Sequence, residues 1–238
     1  MTGTVVHTLV LEGHSGGINA LAIDPAGTWL ACAGTDRVVR LWDPVTGILL
    51  RTLKGHSGGV RALVTDPGGS WLAAVGPGGV VRLWDISTGD SLRTFQGYSD
   101  GGWALAIDPG GSWLACAGDD GTVRLWDPVT GASLRTLEGH SGGVRALAID
   151  PGGSWLAAAG PGGVVRLWDP VAGTLLATLV ASEEGWAVLL PNGSYKLHGQ
   201  PAGLWWAIGL CRFDPADLPD IAPYQPQLRR LHDDAPLR

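Results

Sequence analysis

Residues 55–85 read GHSGGVRALVTDPGGSWLAAVGPGGVVRLWD, and residues 139–169 read GHSGGVRALAIDPGGSWLAAAGPGGVVRLWD. They differ at only three of 31 positions: Val64/Ala148, Thr65/Ile149 and Val75/Ala159. Weaker copies stand at 13–43 and 97–127. Trp-Asp pairs therefore recur every 42 residues, at Trp42-Asp43, Trp84-Asp85, Trp126-Asp127 and Trp168-Asp169. Gly13-His14, Gly55-His56, Gly97-Tyr98 and Gly139-His140 keep the same step, as do Trp29, Trp71, Trp113 and Trp155. A fixed period of this length marks a repeat architecture. Copies two and four share PGGVVRLWD, while one and three share a Cys and an Asp. That alternation points to recent duplication of a pair.

Each copy reads as four short strands. VRALAID (144–150) is apolar and followed by Asp-Pro-Gly-Gly, in which Pro presets a turn and Gly supplies positive φ. SWLAAAG (154–160) is a strand of small residues. VVRLWD (164–169) alternates, placing Val165 and Leu167 on one face. After a PVTG-type turn comes a fourth strand such as SLRTLEG (133–139). No segment sustains a 3.6-residue period, so little helix is expected.

The repeat explains an odd composition. The 238 residues include 38 Gly and 12 Trp, but only 3 Tyr and 2 Phe. Eight Trp are two repeat positions counted four times; Trp103, Trp186, Trp205 and Trp206 are the exceptions. With 45% hydrophobic and 16% charged residues, the chain is not disordered. A net charge of −6 lacks the basic footprint of a nucleic-acid binder. Cys32, Cys116 and Cys211 are too widely spaced for a metal motif and odd in number, so free reduced thiols are expected. The N-terminus shows no signal-peptide pattern and no apolar run reaches membrane-spanning length, so a cytoplasmic protein is expected, with no membrane partner.

The GH dipeptide, the Asp-Pro-x-Gly turn and the terminal RLWD, in register over 13–180, make this sequence resemble the WD-repeat β-propeller family. The resemblance implies an all-β propeller of four-stranded antiparallel blades packed radially, each too apolar on both faces to fold alone. Aligned on its turns, 181–214 reads as a degenerate blade: Tyr195 takes one Trp slot and Phe213 the other. Its apolar runs are Trp186–Leu190, Tyr195–His198 and Leu204–Phe213, with Val5–Glu12 as the missing outer strand. The expectation is one propeller domain over 1–214, five blades closed by the N-terminal strand, and a Pro-rich tail over 215–238. A homo-oligomer sharing blades between chains is the rival.

The resemblance also implies a buried network of His, hydroxyl, Asp and late Trp in each blade. Blade one supplies His14, Asp36 and Trp42, and blade three Asp120 and Trp126 with Tyr98 in the His slot. Blades two and four supply His56 with Trp84 and His140 with Trp168, but Gly78 and Gly162 take the Asp slot. Cys32, Ala74, Cys116 and Ala158 stand in the hydroxyl slot, so no blade carries the full set and the His residues need other partners. The Asp after each late Trp is expected to close a turn, and Arg40, Arg82, Arg124 and Arg166 to lie along the blade flanks as solvated charges or as salt bridges worth little each.

Positions that break the repeat are more informative, because packing does not force them to differ. Asn19, Arg61, Trp103 and Arg145 precede the innermost strands, and the resemblance places them on the top face near the channel. Trp with Arg is the composition of a hot spot, though Trp103 could instead plug the channel. Thr35, Pro77, Asp119 and Pro161 are expected on that face, with Glu183 and Glu184 adding acid; Trp186, Trp205 and Trp206 are expected to fill space in the degenerate blade. No catalytic string, cofactor motif or metal cluster is present; His232-Asp233-Asp234 is a lone His in a tail. Asp36, Asp119 and Asp120 do not make a convincing glycosidase pair, which needs carboxylates about 5–10 Å apart over a pocket. The expectation is a non-enzymatic scaffold binding a protein or peptide partner through Trp103, Arg61, Arg145 and Asn19. The alternatives are a sugar or peptide at the channel mouth, or the sensor module of a larger signalling assembly. In bacterial members with near-identical blades, such modules adjoin nucleotide-hydrolysing or protease domains.

Overall fold

The computed structural model describes residues 13–97 and 101–199, and the backbone of short strands at 206–208, 211–213 and 229–230. All regular structure in these residues is β. The first copy folds as β1 (Ile18–Ile23), β2 (Leu30–Gly34), β3 (Val39–Trp42) and β4 (Leu49–Leu53). The second gives β5 (Ala62–Thr65), β6 (Trp71–Val75), β7 (Val80–Asp85) and β8 (Ser91–Gln96). The third gives β9 (Gly102–Ile107), β10 (Leu114–Gly118), β11 (Val123–Trp126) and β12 (Ser133–Leu137). The fourth gives β13 (Ala146–Ile149), β14 (Leu156–Ala159), β15 (Val164–Trp168) and β16 (Leu175–Ser182). Each copy is an antiparallel meander in sequence order, the blade expected from the repeat.

Local chemistry makes these blades. In every Asp-Pro turn the Asp carboxylate accepts from the chain four or five residues on, as Asp66 does from the Trp71 amide at 2.7 Å and Asp150 from Trp155 at 2.7 Å. Gly69 and Gly153 sit there at φ near +70°, where a Cβ is disfavoured. In the second turn Asp43, Asp85, Asp127 and Asp169 each accept from backbone amides two or three residues later, as expected of the Asp after the late Trp.

Alternation along β3, β7, β11 and β15 gives each blade two apolar faces. Leu41, Leu83 and Leu125 point to the following blade, while Trp84 and Trp168 point back to the preceding one. Three cores result. Val39 and Leu41 meet Leu72 and Trp84. Val81, Leu83 and Phe95 meet Leu114, Cys116 and Trp126, with Phe95 and Trp126 stacked at 5.3 Å. Val123, Leu125 and Leu137 meet Leu156 and Trp168. The inner strands β1, β5, β9 and β13 run side by side in that order. Leu21 and Ile23 on β1 are 60% and 66% exposed, because no described blade precedes the first.

A second device joins the blades at their outer strands. Arg51 donates to the carbonyls of Ser87 and Thr88 in the next blade's turn, Arg93 to Val129, and Arg135 to Val171 and Ala172. The equivalent residue in the fourth copy is Ala177. It lines an apolar cavity of ≈ 440 Å³ with Leu167, Leu175, Leu176, Leu190, Pro191 and Asn192.

Beyond β16 the chain departs from the expected fifth blade. Strands β17 (Gly185–Leu189) and β18 (Ser194–Gly199) form near the expected runs, but β17 pairs directly with β16 and β18 with β17. They extend the fourth sheet rather than starting another. The connection explains this. Ser182 pairs with Gly185, leaving only Glu183 and Glu184 between the strands. Two residues reach about 7 Å at most, whereas crossing from outer to inner strand of a blade takes roughly 14 Å. Residues 54–61 make that crossing between the first two blades. The run expected as one strand over 204–213 is instead a hairpin of β19 (Trp206–Ile208) and β20 (Cys211–Phe213). Within the expected tail, β21 (Arg229–Arg230) pairs parallel with β18. The proposed closing strand 5–12 lies outside the described residues.

The interblade cores set the stability. Leu83→Ala, at a fully buried site, is expected to cost about 2–5 kcal/mol. Val129→Ala, on an exposed turn, is expected to stay within about 0.5 kcal/mol of the parent. Urea unfolding of the three proteins compares them.

Candidate interaction surface

Asn19, Arg61, Trp103 and Arg145 occupy the same position in four stacked copies, so the stack sets them in one row across the starts of the inner strands. The row is bonded along its length. Asn19 Nδ2 donates to the Val60 carbonyl in the next blade at 3.1 Å. The Arg61 guanidinium lies 3.6 Å from the Trp103 ring centroid, and that of Arg145 lies 4.5 Å from it. Cation–π contacts of this kind contribute about 0.5–2 kcal/mol, more as water is excluded. Trp103 Nε1 donates to Asp119 Oδ1 at 2.6 Å. The indole is thus held by its faces and its edge. It is half-buried, Arg61 likewise, while Asn19 and Arg145 are exposed.

Thr35, Pro77, Asp119 and Pro161 stand beside the same strand entries: a Cβ on Gly16, Gly58, Gly101 or Gly142 would meet each in turn. Gly101 is the tightest of interest, since its Cβ would come within 2.6 Å of Asp119 Oδ2 and 2.7 Å of Arg61 Nη1. Among the described residues Arg61 Nη1 is itself buried without a hydrogen-bond partner. Glu183 and Glu184 lie exposed in the hairpin at the outer edge of the fourth sheet.

The structural residues form different networks in different blades. Blade one completes the network that no blade was expected to complete, because Cys32 serves in the hydroxyl slot. Trp42 Nε1 donates to Cys32 Sγ at 3.1 Å, and Cys32 Sγ lies 3.0 Å from His14 Nε2. His14 Nδ1 lies 2.9 Å from Asp36 Oδ2. Arg40 Nη1 also lies 3.0 Å from His14 Nδ1, and the Cys32 thiol donates to the Arg40 carbonyl at 3.8 Å. Burial raises the Cys32 thiol above its ordinary value, against the lowering effect of the Trp42 bond. Of the two expected states Arg40 takes the salt bridge: it donates to Asp36 at 2.6 Å and to the Gly13 carbonyl at 2.7 Å. Burial works to raise the Asp36 carboxyl, but the Arg40 bond, the Val38 amide and the charges of His14 and Arg40 hold it below the usual range.

Elsewhere the network is reduced. In blade two His56 Nδ1 bonds the Gly58 carbonyl at 2.9 Å and Trp84 Nε1 the Lys54 carbonyl at 3.1 Å. In blade four His140 Nε2 bonds the Ala158 carbonyl at 3.1 Å and its ring packs on Trp168 at 5.7 Å. In blade three Asp120 pairs with Arg124 at 2.8 Å and accepts from Thr122, while Trp126 Nε1 is buried with no acceptor among the described residues, of which Tyr98 is not one.

The remaining candidates separate. Asp36 is bound within blade one, and Asp119 and Asp120 make different contacts. Among the described residues no group of three His, Cys, Asp or Glu side chains could hold a metal. His232, Asp233 and Asp234 lie outside them, as does Trp205, and Trp206 is described by its backbone alone. Trp186 does not fill internal space: it is 42% exposed and stacks on His198 at 6.0 Å. Among the described residues no helix is long and apolar enough to cross a membrane.

Stacked four-stranded blades crossed by one variable row define a β-propeller-type repeat protein. The family described as "WD40: WD domain, G-beta repeat" matches residues 3–43, 47–85, 89–127 and 131–169, and the chain belongs to it. Members of this family generally act as protein-interaction scaffolds and are generally not enzymes. The chain is similar to the ribosome biogenesis protein erb1 of Botryotinia fuckeliana, 54% identical over 44 residues, 18% of this chain and 6% of that protein. It is 53% identical to erb1 of Aspergillus clavatus over 38 residues, 16% of this chain and 5% of that one. It is 41% identical to the pleiotropic regulator PRL2 of Arabidopsis thaliana over 44 residues, 18% of this chain and 9% of that one. The matched stretches thus span less than a tenth of these relatives.

Two predictions follow from the networks. Cys32→Ala leaves Trp42 and His14 without their shared partner and is expected to cost about 1–3 kcal/mol, whereas Cys32→Ser keeps a donor and acceptor and costs less. Urea midpoints rank them. His56 and His140 titrate below their ordinary value, chiefly through burial. The unfolded chain therefore binds protons that the folded one does not, and stability falls as pH drops through about 6.5. Unfolding midpoints from pH 7.5 to 5.5 are expected to decline, and His140→Gln to flatten the decline.

Proposed function

We propose that the chain is a non-enzymatic scaffold that binds a protein or peptide partner on the face carrying Asn19, Arg61, Trp103 and Arg145. One observation carries this reading: Asn19, Arg61, Trp103 and Arg145, one repeat position filled by three residue types, form a single bonded row. The same backbone position thus carries an amide, two guanidinium groups and an indole side by side. An indole flanked by guanidinium groups also matches the residues that dominate interface energetics.

A place in the cytoplasm belongs to the same reading and is supported by two buried free thiols, Cys32 and Cys116. A role in ribosome biogenesis does not, because the stretches shared with those relatives are about one repeat long. Self-association through blade faces is a second reading, favoured by the exposure of Leu21 and Ile23. A solution mass of one chain would remove it.

Trp103→Ala tests the main reading. Proteins retained by the immobilised chain are compared between parent and variant by mass spectrometry, with equal unfolding midpoints as the folding control. Loss of a defined set of partners is expected. An unchanged set would sink the proposal.

A further inference from the structure

We infer that this row recognises a carboxylate presented by a peptide, either an Asp or Glu side chain or a free C-terminus, with Arg61 Nη1 as a central donor. The inference rests on the partner-binding reading above and names the chemistry of the contact.

The first argument is an unmet bond. Among the described residues Arg61 Nη1 is buried and has no acceptor. A buried donor left unpaired costs about 1–3 kcal/mol, and more when charged. Unlike the unpaired Trp126 Nε1 inside blade three, this one belongs to a half-buried side chain in the row, where an acceptor from outside could complete it. The neighbouring acid does not do so: Asp119 spends Oδ1 on Trp103 and forms no ion pair with Arg61 within 4 Å among the described residues.

The second argument is charge. Arg61 and Arg145 both lie against Trp103, and neither has an ion-pair partner among the described residues. Among the described residues Asp119 is the one acid bonded into the row, so two cations there face one anion, in a chain of net charge −6. The remaining flanking turn residues, Thr35, Pro77 and Pro161, are uncharged, and Glu183 and Glu184 belong to an outer-edge hairpin.

The third argument is geometry. Stacking on an indole occupies the planar face of a guanidinium and leaves its edge to donate. An edge of parallel N–H groups matches the two oxygens of a carboxylate, and a stacked guanidinium loses little freedom when it binds. Gly101 sits against this donor, since a side chain there would run into both Arg61 Nη1 and Asp119 Oδ2.

Fluorescence anisotropy with the full chain tests the inference. The probes are labelled hexaglutamate amide, with side-chain carboxylates only; a hexaserine peptide with a free C-terminus, with the terminal carboxylate only; hexaserine amide; and hexalysine amide. One or both carboxylate probes are expected to bind at least tenfold more tightly than hexaserine amide, with hexalysine excluded. Arg61→Lys keeps the charge but removes the fork, and is expected to weaken that binding at least tenfold with an unchanged unfolding midpoint. Equal binding of all uncharged and acidic probes, no binding of either acidic probe, or an unchanged affinity in Arg61→Lys would overturn it. Loss of partners on Trp103→Ala without binding of either acidic probe removes the carboxylate and leaves the scaffold standing. Acidic binding with every partner retained removes the scaffold reading and leaves an anion site.

Discussion

Everything in this protein depends on blades that are apolar on both faces. A single sheet of this kind cannot hide its surface, so each copy is stable only against another. The alternation of VRLW enforces it: Leu83 serves the following blade while Trp84, its neighbour in sequence, serves the preceding one. Because every junction uses the same positions, the copies must remain alike, and they stack in register. The row across the inner strands is a by-product of that register. Four residues 42 apart in sequence become neighbours without any local contact between them.

Much of this was legible in the chain. The four blades, their turns and the burial of the late Trp follow from period, alternation and Asp-Pro-Gly chemistry. So did the residues of the row, since a departure from near-identity can be read directly. What the sequence concealed depends on three-dimensional reach. Residues 181–214 carry turn landmarks resembling a blade, but the two-residue link at Glu183–Glu184 is too short to cross one, so its strands add to the fourth sheet. Cys32 looked like a defect in the hydroxyl slot, yet its sulfur accepts from Trp42 and lies 3.0 Å from His14 Nε2, and the network closes. The Arg before each late Trp recurs in every copy, but its partner depends on the blade: Asp36 and the Gly13 carbonyl for Arg40, and Asp120 for Arg124.

The networks also show how near-identical blades differ in chemistry. Blades two and four lack the acid, and their histidines settle on backbone carbonyls. Such rings are held neutral by burial, whereas the Asp36 side of blade one is ionic. One architecture therefore tolerates two ways of satisfying its buried polar atoms, provided the apolar faces stay intact.

The outer-strand arginines have a further consequence. Arg51, Arg93 and Arg135 each grip the successor blade and never the predecessor, and the grip is absent at Ala177. The stack is therefore directional. A copy spliced between the second and fourth blades would both receive a grip and offer one, whereas a copy appended after the fourth would be held by packing alone. Growth or loss of whole units in the interior would leave the terminal surfaces as they are. The lineage of this chain could vary its copy number there in steps of one repeat while its last blade keeps its own separate character.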